Sequence, residues 1–93
     1  MNIALTDHAR SRIKQRGIPE FIIEGLLTFG KAAHDHKGSE VIYFDRKARK
    51  RLRRLWGKAT YRRLETKLDA YAVVGDDGAI ITVGHRTRRI IHH

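Results

Sequence analysis

Cysteine is absent from this chain of 93 residues, and proline and tryptophan each occur once. Without a thiol there can be no disulfide, no thiolate metal site and no Cys nucleophile, a composition that suits a reducing cytosol. No apolar run approaches the ~18 residues that a membrane span requires. The start, Met1 to His8, lacks the basic region and long apolar stretch of a signal peptide, so the expected location is the cytoplasm and no membrane partner is expected. Also missing are the G-x-x-x-x-G-K-[ST] phosphate loop, the G-x-G-x-x-G turn and any paired-carboxylate motif. The hydroxyls nearest a histidine in sequence, Thr6, Thr82 and Thr87, stand in no nucleophile motif. ATP, dinucleotide and acyl chemistry are therefore set aside, and no cofactor is expected.

Acidic residues are scarce as well. Ten Asp and Glu face twenty Lys and Arg, for a net charge of +10 and a pI near 10.7. Such an excess attracts phosphate backbones and points to a polyanionic partner, RNA first (tRNA, mRNA or ribosome). The length fits a single domain over residues 1–93, with one modest core.

Along the chain, Ile3 to Leu5 reads as a short extended entry, and Thr6 as the N-cap of a helix from Asp7 that Gly17 stops. Ala9 and Ile13 form its inner side. Pro19 opens a second helix to about Phe29, whose Phe21, Ile22, Ile23, Leu26, Leu27 and Phe29 are core material, with Gly30 as the stop. Lys31 to His36 and Glu40 to Phe44 flank Lys37-Gly38-Ser39 as a hairpin. Asp45 caps a third helix with an inward stripe of Ala48, Leu52, Leu55, Trp56 and Ala59. A shorter helix from about Ala59 to Leu68 buries Tyr61, Leu64 and Leu68. Ala70 to Val74 and Ala79 to Val83 surround Asp76-Asp77-Gly78, a second hairpin. The expected fold is α+β: helices packed on a four-stranded, mostly antiparallel sheet.

Four groups of residues carry possible chemistry. From Arg46 to Arg54, seven of nine residues are basic, with no acid between Asp45 and Glu65. A helix of like charges repels itself, so Arg46, Lys47, Arg49, Lys50, Arg53 and Arg54 read as phosphate contacts rather than as a solvated face. His8, Arg12 and Arg16, four apart, share a helical face where imidazole and guanidinium could serve proton transfer and phosphate stabilisation. Thr82, His85 and Arg86 close the last strand, with Ile81, Val83 and His85 expected on one face and Ile80 and Thr82 on the other. A bulge at Gly84 would turn His85 either way. His34-Asp35-His36 offers two imidazoles on one strand face, too few for a metal site. Tyr43 and Tyr71 read as half-buried sheet aromatics.

These pieces converge. Leu5-Thr6-x-His8-Ala9-x-x-Arg12-x-x-x-Arg16-Gly17-Ile18, the hairpin Gly38 to Phe44, Gly78-Ala79-Ile80-Ile81-Thr82-Val83 and the ending Val83-Gly84-His85-Arg86 resemble the bacterial domain-of-unknown-function family 4258. The likeness covers most of the chain, and the basic segment 46–68 looks like an insertion in it. That family is similar to BrnT and RelE toxins of the barnase–EndoU–colicin–RelE ribonuclease group. The resemblance implies two helices before a four-stranded antiparallel sheet and metal-independent cleavage of RNA by attack of the 2′-hydroxyl on the adjacent phosphate. It further implies His8, Arg12, Thr82 and His85 as catalytic candidates. Arg16 and Arg86 join the basic helix as candidate nucleic-acid contacts on charge alone. Three functions stay open at this point: an endoribonuclease toxin, a binding module without catalysis, and a domain paired with an acidic antitoxin protein.

Overall fold

Thr6 explains why the first helix starts where it does. Its side-chain oxygen accepts the Ala9 N–H at 3.1 Å, and its hydroxyl donates to the Ile81 carbonyl at 2.9 Å. One side chain thus caps a helix and pins it to the last strand. The computed structural model describes residues 3–34 and 38–86. Within them run α1 (Asp7–Arg16), α2 (Glu20–Phe29), β1 (Lys31–His34), β2 (Glu40–Tyr43), α3 (Arg46–Trp56), α4 (Lys58–Leu64), a 3-10 turn (Glu65–Asp69), β3 (Ala70–Val74) and β4 (Ile80–His85). The sheet is an antiparallel meander in the order β1-β2-β3-β4. The expected α+β architecture is present.

Local chemistry sets the boundaries. Gly17 adopts φ +60°, and Ile18 N–H donates to the Ile13 carbonyl, so α1 ends in the left-handed turn that favours glycine. Pro19 is the N-cap of α2 rather than its first helical residue. Gly30 is different: its φ of −66° suits any residue, but a Cβ there would strike the Leu26 carbonyl oxygen and Ile42 Cγ2. Glycine is required by space, not by conformation.

One core lies between the helices and one sheet face, made of Ala9, Ile18, Ile22, Ile23, Leu26, Phe44, Ala48, Leu52, Leu68, Ala70, Ala72, Ile80 and Val83. Four expected members lie elsewhere: Ala59 is exposed, and Phe21, Leu27 and Leu55 are 44%, 40% and 67% exposed. Ten-residue α2 turns only one stripe inward, and Phe21 and Leu27 fall beside it. Leu55 lies off the Ala48–Leu52–Trp56 line, and Ala59 is exposed once Gly57 has turned the chain. The fourth helix is shorter than expected. It ends at Leu64 and tightens to 3-10 geometry, which carries Leu68 fully into the core while Tyr61 and Leu64 stay half-buried. The segment 46–68 therefore contributes Ala48, Leu52 and Leu68 to the same core as the rest.

The magnitudes show why so basic a helix as α3 forms. Four like-charged pairs at i and i+4 (46/50, 47/51, 49/53 and 50/54) cost roughly 1–2 kcal/mol together. Burial of Leu52 alone offsets about 1.5–3 kcal/mol. The Asp45 cap, accepting Ala48 N–H at 2.8 Å, adds about 1 kcal/mol more.

The expected bulge in the last strand is displaced. Gly84 pairs regularly with Tyr71, whereas Val73 faces Thr82 and Val74 faces Ile80, leaving Ile81 as the extra residue. That shift lets Ile80 and Val83, three apart, both enter the core, and it turns Ile81 outward at 38% exposure. Among the described residues, no helix is long and apolar enough to cross a membrane.

A cationic cleft at the end of the sheet

The basic residues of α3 divide by helical geometry. Arg46, Arg49, Lys50 and Arg53 follow the spacing i, i+3, i+4, i+7 and so form one stripe. That stripe faces the sheet end where β2 leaves, β3 begins and β4 finishes. With Lys31, Tyr43, Phe44, Asp45, Tyr61 and Arg86 it lines a cleft of about 600 Å³. Lys47 lies on another flank beside Arg51, around a smaller hollow of about 300 Å³ with Phe29 and Gly30. Arg54 is exposed outside the cleft, as is Arg16 at the end of α1. Of the eight basic residues expected at the interface, five therefore meet: Arg46, Arg49, Lys50, Arg53 and Arg86.

Register supplies the other wall. Lys31 pairs with Tyr43, Tyr43 with Tyr71, and Tyr71 with Gly84, a cross-strand row on the sheet face opposite the core. Arg86, two residues past Gly84, continues on that face. Its backbone N–H donates to the Asp69 carbonyl at 2.8 Å, and its guanidinium carbon lies 5.3 Å from the centre of the Tyr43 ring. The Arg86 Nε–H is buried and meets no acceptor among the described residues.

Arg49 is used differently from its neighbours. Its Nη2 donates to the Leu68 carbonyl at 2.9 Å and to Asp69 Oδ1 at 3.1 Å, and its Nε to the Phe44 carbonyl at 3.4 Å. This is the one ion pair among the described residues. Arg49 thus ties α3 to the entrance of β3. Lys31, Arg46, Lys50 and Arg53 form no ion pair there, and the cleft's single acid, Asp45, is occupied as the α3 cap.

The catalytic candidates do not form one cluster. His8 and Arg12 meet each other on α1, Arg12 Nε donating to His8 Nε2 at 3.4 Å, and neither lines the cleft. Thr82 and His85 belong to the unbroken part of the β3–β4 ladder, three positions apart, and so lie on opposite faces. His85 pairs with Ala70 on the core side, and Thr82 with Val73 on the other. Among the described residues, no hydrogen bond joins any of the four except His8 to Arg12.

His34 is exposed on β1, and Asp35 and His36 lie outside the described residues. Among those described, no group of three or more potential metal ligands occurs.

Lys31 and Tyr61 were not anticipated at the site. Lys31 was not legible: a hairpin turning at Lys37-Gly38-Ser39 sets Ala33 opposite Tyr43, whereas the observed register pairs His34 with Glu40 and so Lys31 with Tyr43. Tyr61 carries no signal either, because helical spacing alone reads it as core. No family model, curated protein or solved structure matches the chain.

Proposed function

We propose that this protein binds RNA by its phosphate backbone in the cleft, with Lys31, Arg46, Lys50, Arg53 and Arg86 as contacts. The observation that carries this reading is that these five cations line one cleft and form no ion pair among the described residues, while its single acid, Asp45, is occupied as a helix cap. A bound phosphate would relieve the repulsion along α3. The motif resemblance favours RNA over other polyanions, and the reading places the protein in the cytoplasm.

Affinity measured across a salt series tests the proposal. Five contacts predict a log–log slope of roughly −3.5 on a single strand and −4.5 on a duplex. An affinity that does not change with salt would exclude the cleft as a backbone site.

A second reading, metal-independent cleavage of RNA, is favoured by the His8–Arg12 pair, which sets an imidazole beside a guanidinium on α1, away from the cleft. Incubation with total RNA in excess EDTA separates the two. Defined fragments from the parent but not from a His8→Ala, His85→Ala variant would establish cleavage. Intact RNA that shifts in a native gel would leave the binding module.

A further inference from the structure

We infer that the cleft takes a single strand, with an unpaired base stacked on the Tyr61 ring; this rests on the cleft being a phosphate site. Three observations on the α3–α4 corner support it. Gly57, at φ +85°, turns the chain sharply between the helices, so the last residue of α3 and the first full turn of α4 come together. Trp56 and Tyr61 consequently lie with ring centres 6.4 Å apart, and Phe21 stands edge-on to Trp56 at 6.3 Å. Tyr61 is also a wall of the cationic cleft, and it is only half-buried. Of the three rings in contact, Tyr61 is therefore the one that lines the phosphate seat.

The chemistry of nucleic acids decides what such a ring can hold. In a duplex the base faces are stacked on one another and closed to a side chain. In a single strand each base offers a π-face, and cationic grooves that open on aromatic rings use this without regard to sequence. A seat of about 600 Å³ has room for a nucleotide unit. Lys58 and Arg62, exposed on α4 on either side of Tyr61 in sequence, extend the positive surface along the strand. Packing of Trp56 and Tyr61 against the core holds both rings in place.

Trp56 is the only tryptophan, so its fluorescence reports this corner alone. The parent is titrated with a short single-stranded oligoribonucleotide, with the same strand annealed to its complement, and with inorganic polyphosphate. The single strand is expected to quench Trp56 and to bind more tightly than the duplex. Tyr61→Ala should weaken the single strand roughly 5- to 150-fold and leave polyphosphate unchanged, while Tyr61→Phe should bind as the parent does. Tyr61→Leu, which keeps the apolar contacts, serves should the alanine variant fail to fold, and its expected loss is the same. Equal affinity for strand and duplex, or an unaffected Tyr61→Leu variant, would overturn the stacked base. Sensitivity of both RNAs to Arg53→Gln would then still uphold the phosphate site. Failure of all three ligands to bind would remove the phosphate site and the stacked base together.

Discussion

The Arg86 guanidinium lies 5.3 Å from the centre of a Tyr43 ring that is itself 4% exposed. The ring therefore acts as a fixed floor, holding a planar cation with its buried Nε–H unmatched. Charge and planar geometry can be separated by substitution. Arg86→Gln should lower RNA affinity and reduce the magnitude of the salt slope by about one phosphate contact. Arg86→Lys keeps the charge but loses the delocalised plane and the Nε donor. It should retain the salt slope and still bind more weakly than the parent. A lysine variant with parental affinity would show that only charge matters at this position.

Arg49 and Arg53 lie one turn apart on the same helix, yet substitution should affect different quantities. Arg49 joins the Phe44 and Leu68 carbonyls and the Asp69 carboxylate, and its side chain is 27% exposed against 51% for Asp69. Removing it leaves partly buried acceptors without a donor. Arg49→Ala should lower unfolding free energy by about 1–3 kcal/mol in urea titrations, toward the lower end because the carboxylate is half open to water. Arg53→Ala should leave the unfolding free energy within about 0.5 kcal/mol of the parent and weaken RNA binding. The reverse pattern would exchange the two roles.

Where sequence reading succeeded, the signal was local. Thr6 and Gly17 bound α1, Asp45 caps α3, and the Asp76-Asp77-Gly78 turn joins β3 to β4, each through interactions within a few residues. It failed where the answer depends on distant parts of the chain. Phe21 and Leu55 have core-like chemistry, but how wide a stripe each helix buries is set by its neighbours. The bulge at Ile81 arises from pairing with Val73 and Val74, and it decides how the rest of the strand is phased. Thr82 and His85 lie beyond it on opposite faces, as simple alternation along the strand expects. Half of the cleft was legible in the i, i+3, i+4, i+7 spacing of Arg46, Arg49, Lys50 and Arg53. The other half needed the register that brings Lys31 to Tyr43 and the turn at Gly57 that brings Tyr61 round.

Gly30 offers a test of packing free of backbone preference. Its φ and ψ of −66° and 155° are ordinary for any residue, so alanine brings no conformational strain. The added methyl, however, meets the Leu26 carbonyl oxygen and Ile42 Cγ2, which belong to the end of α2 and to β2. A backbone oxygen cannot swing aside as a side chain can. Gly30→Ala should therefore cost about 1–3 kcal/mol, measured as a lowered melting temperature. Combining it with Ile42→Ala should recover little, since the carbonyl remains. Full recovery in the double variant would place the strain on Ile42 alone.

Self-repulsion along α3 gives salt two opposite effects. In the free protein, the four like-charged i and i+4 pairs between Arg46 and Arg54 lie mostly on exposed side chains, where ions screen them. Raising the salt concentration should therefore raise the melting temperature, although the same salt weakens RNA binding. At low salt, a polyanion that binds the folded cleft and not the unfolded chain should replace the screening. At a hundredfold excess over Kd it adds about 2.7 kcal/mol, which in a domain of this size shifts the melting temperature by roughly 10–20 °C. Lys50→Gln, Arg53→Gln should reduce both effects together: a free protein less responsive to salt and a smaller shift with polyanion. If the two effects respond independently to that variant, the repelling charges and the binding charges are not the same residues.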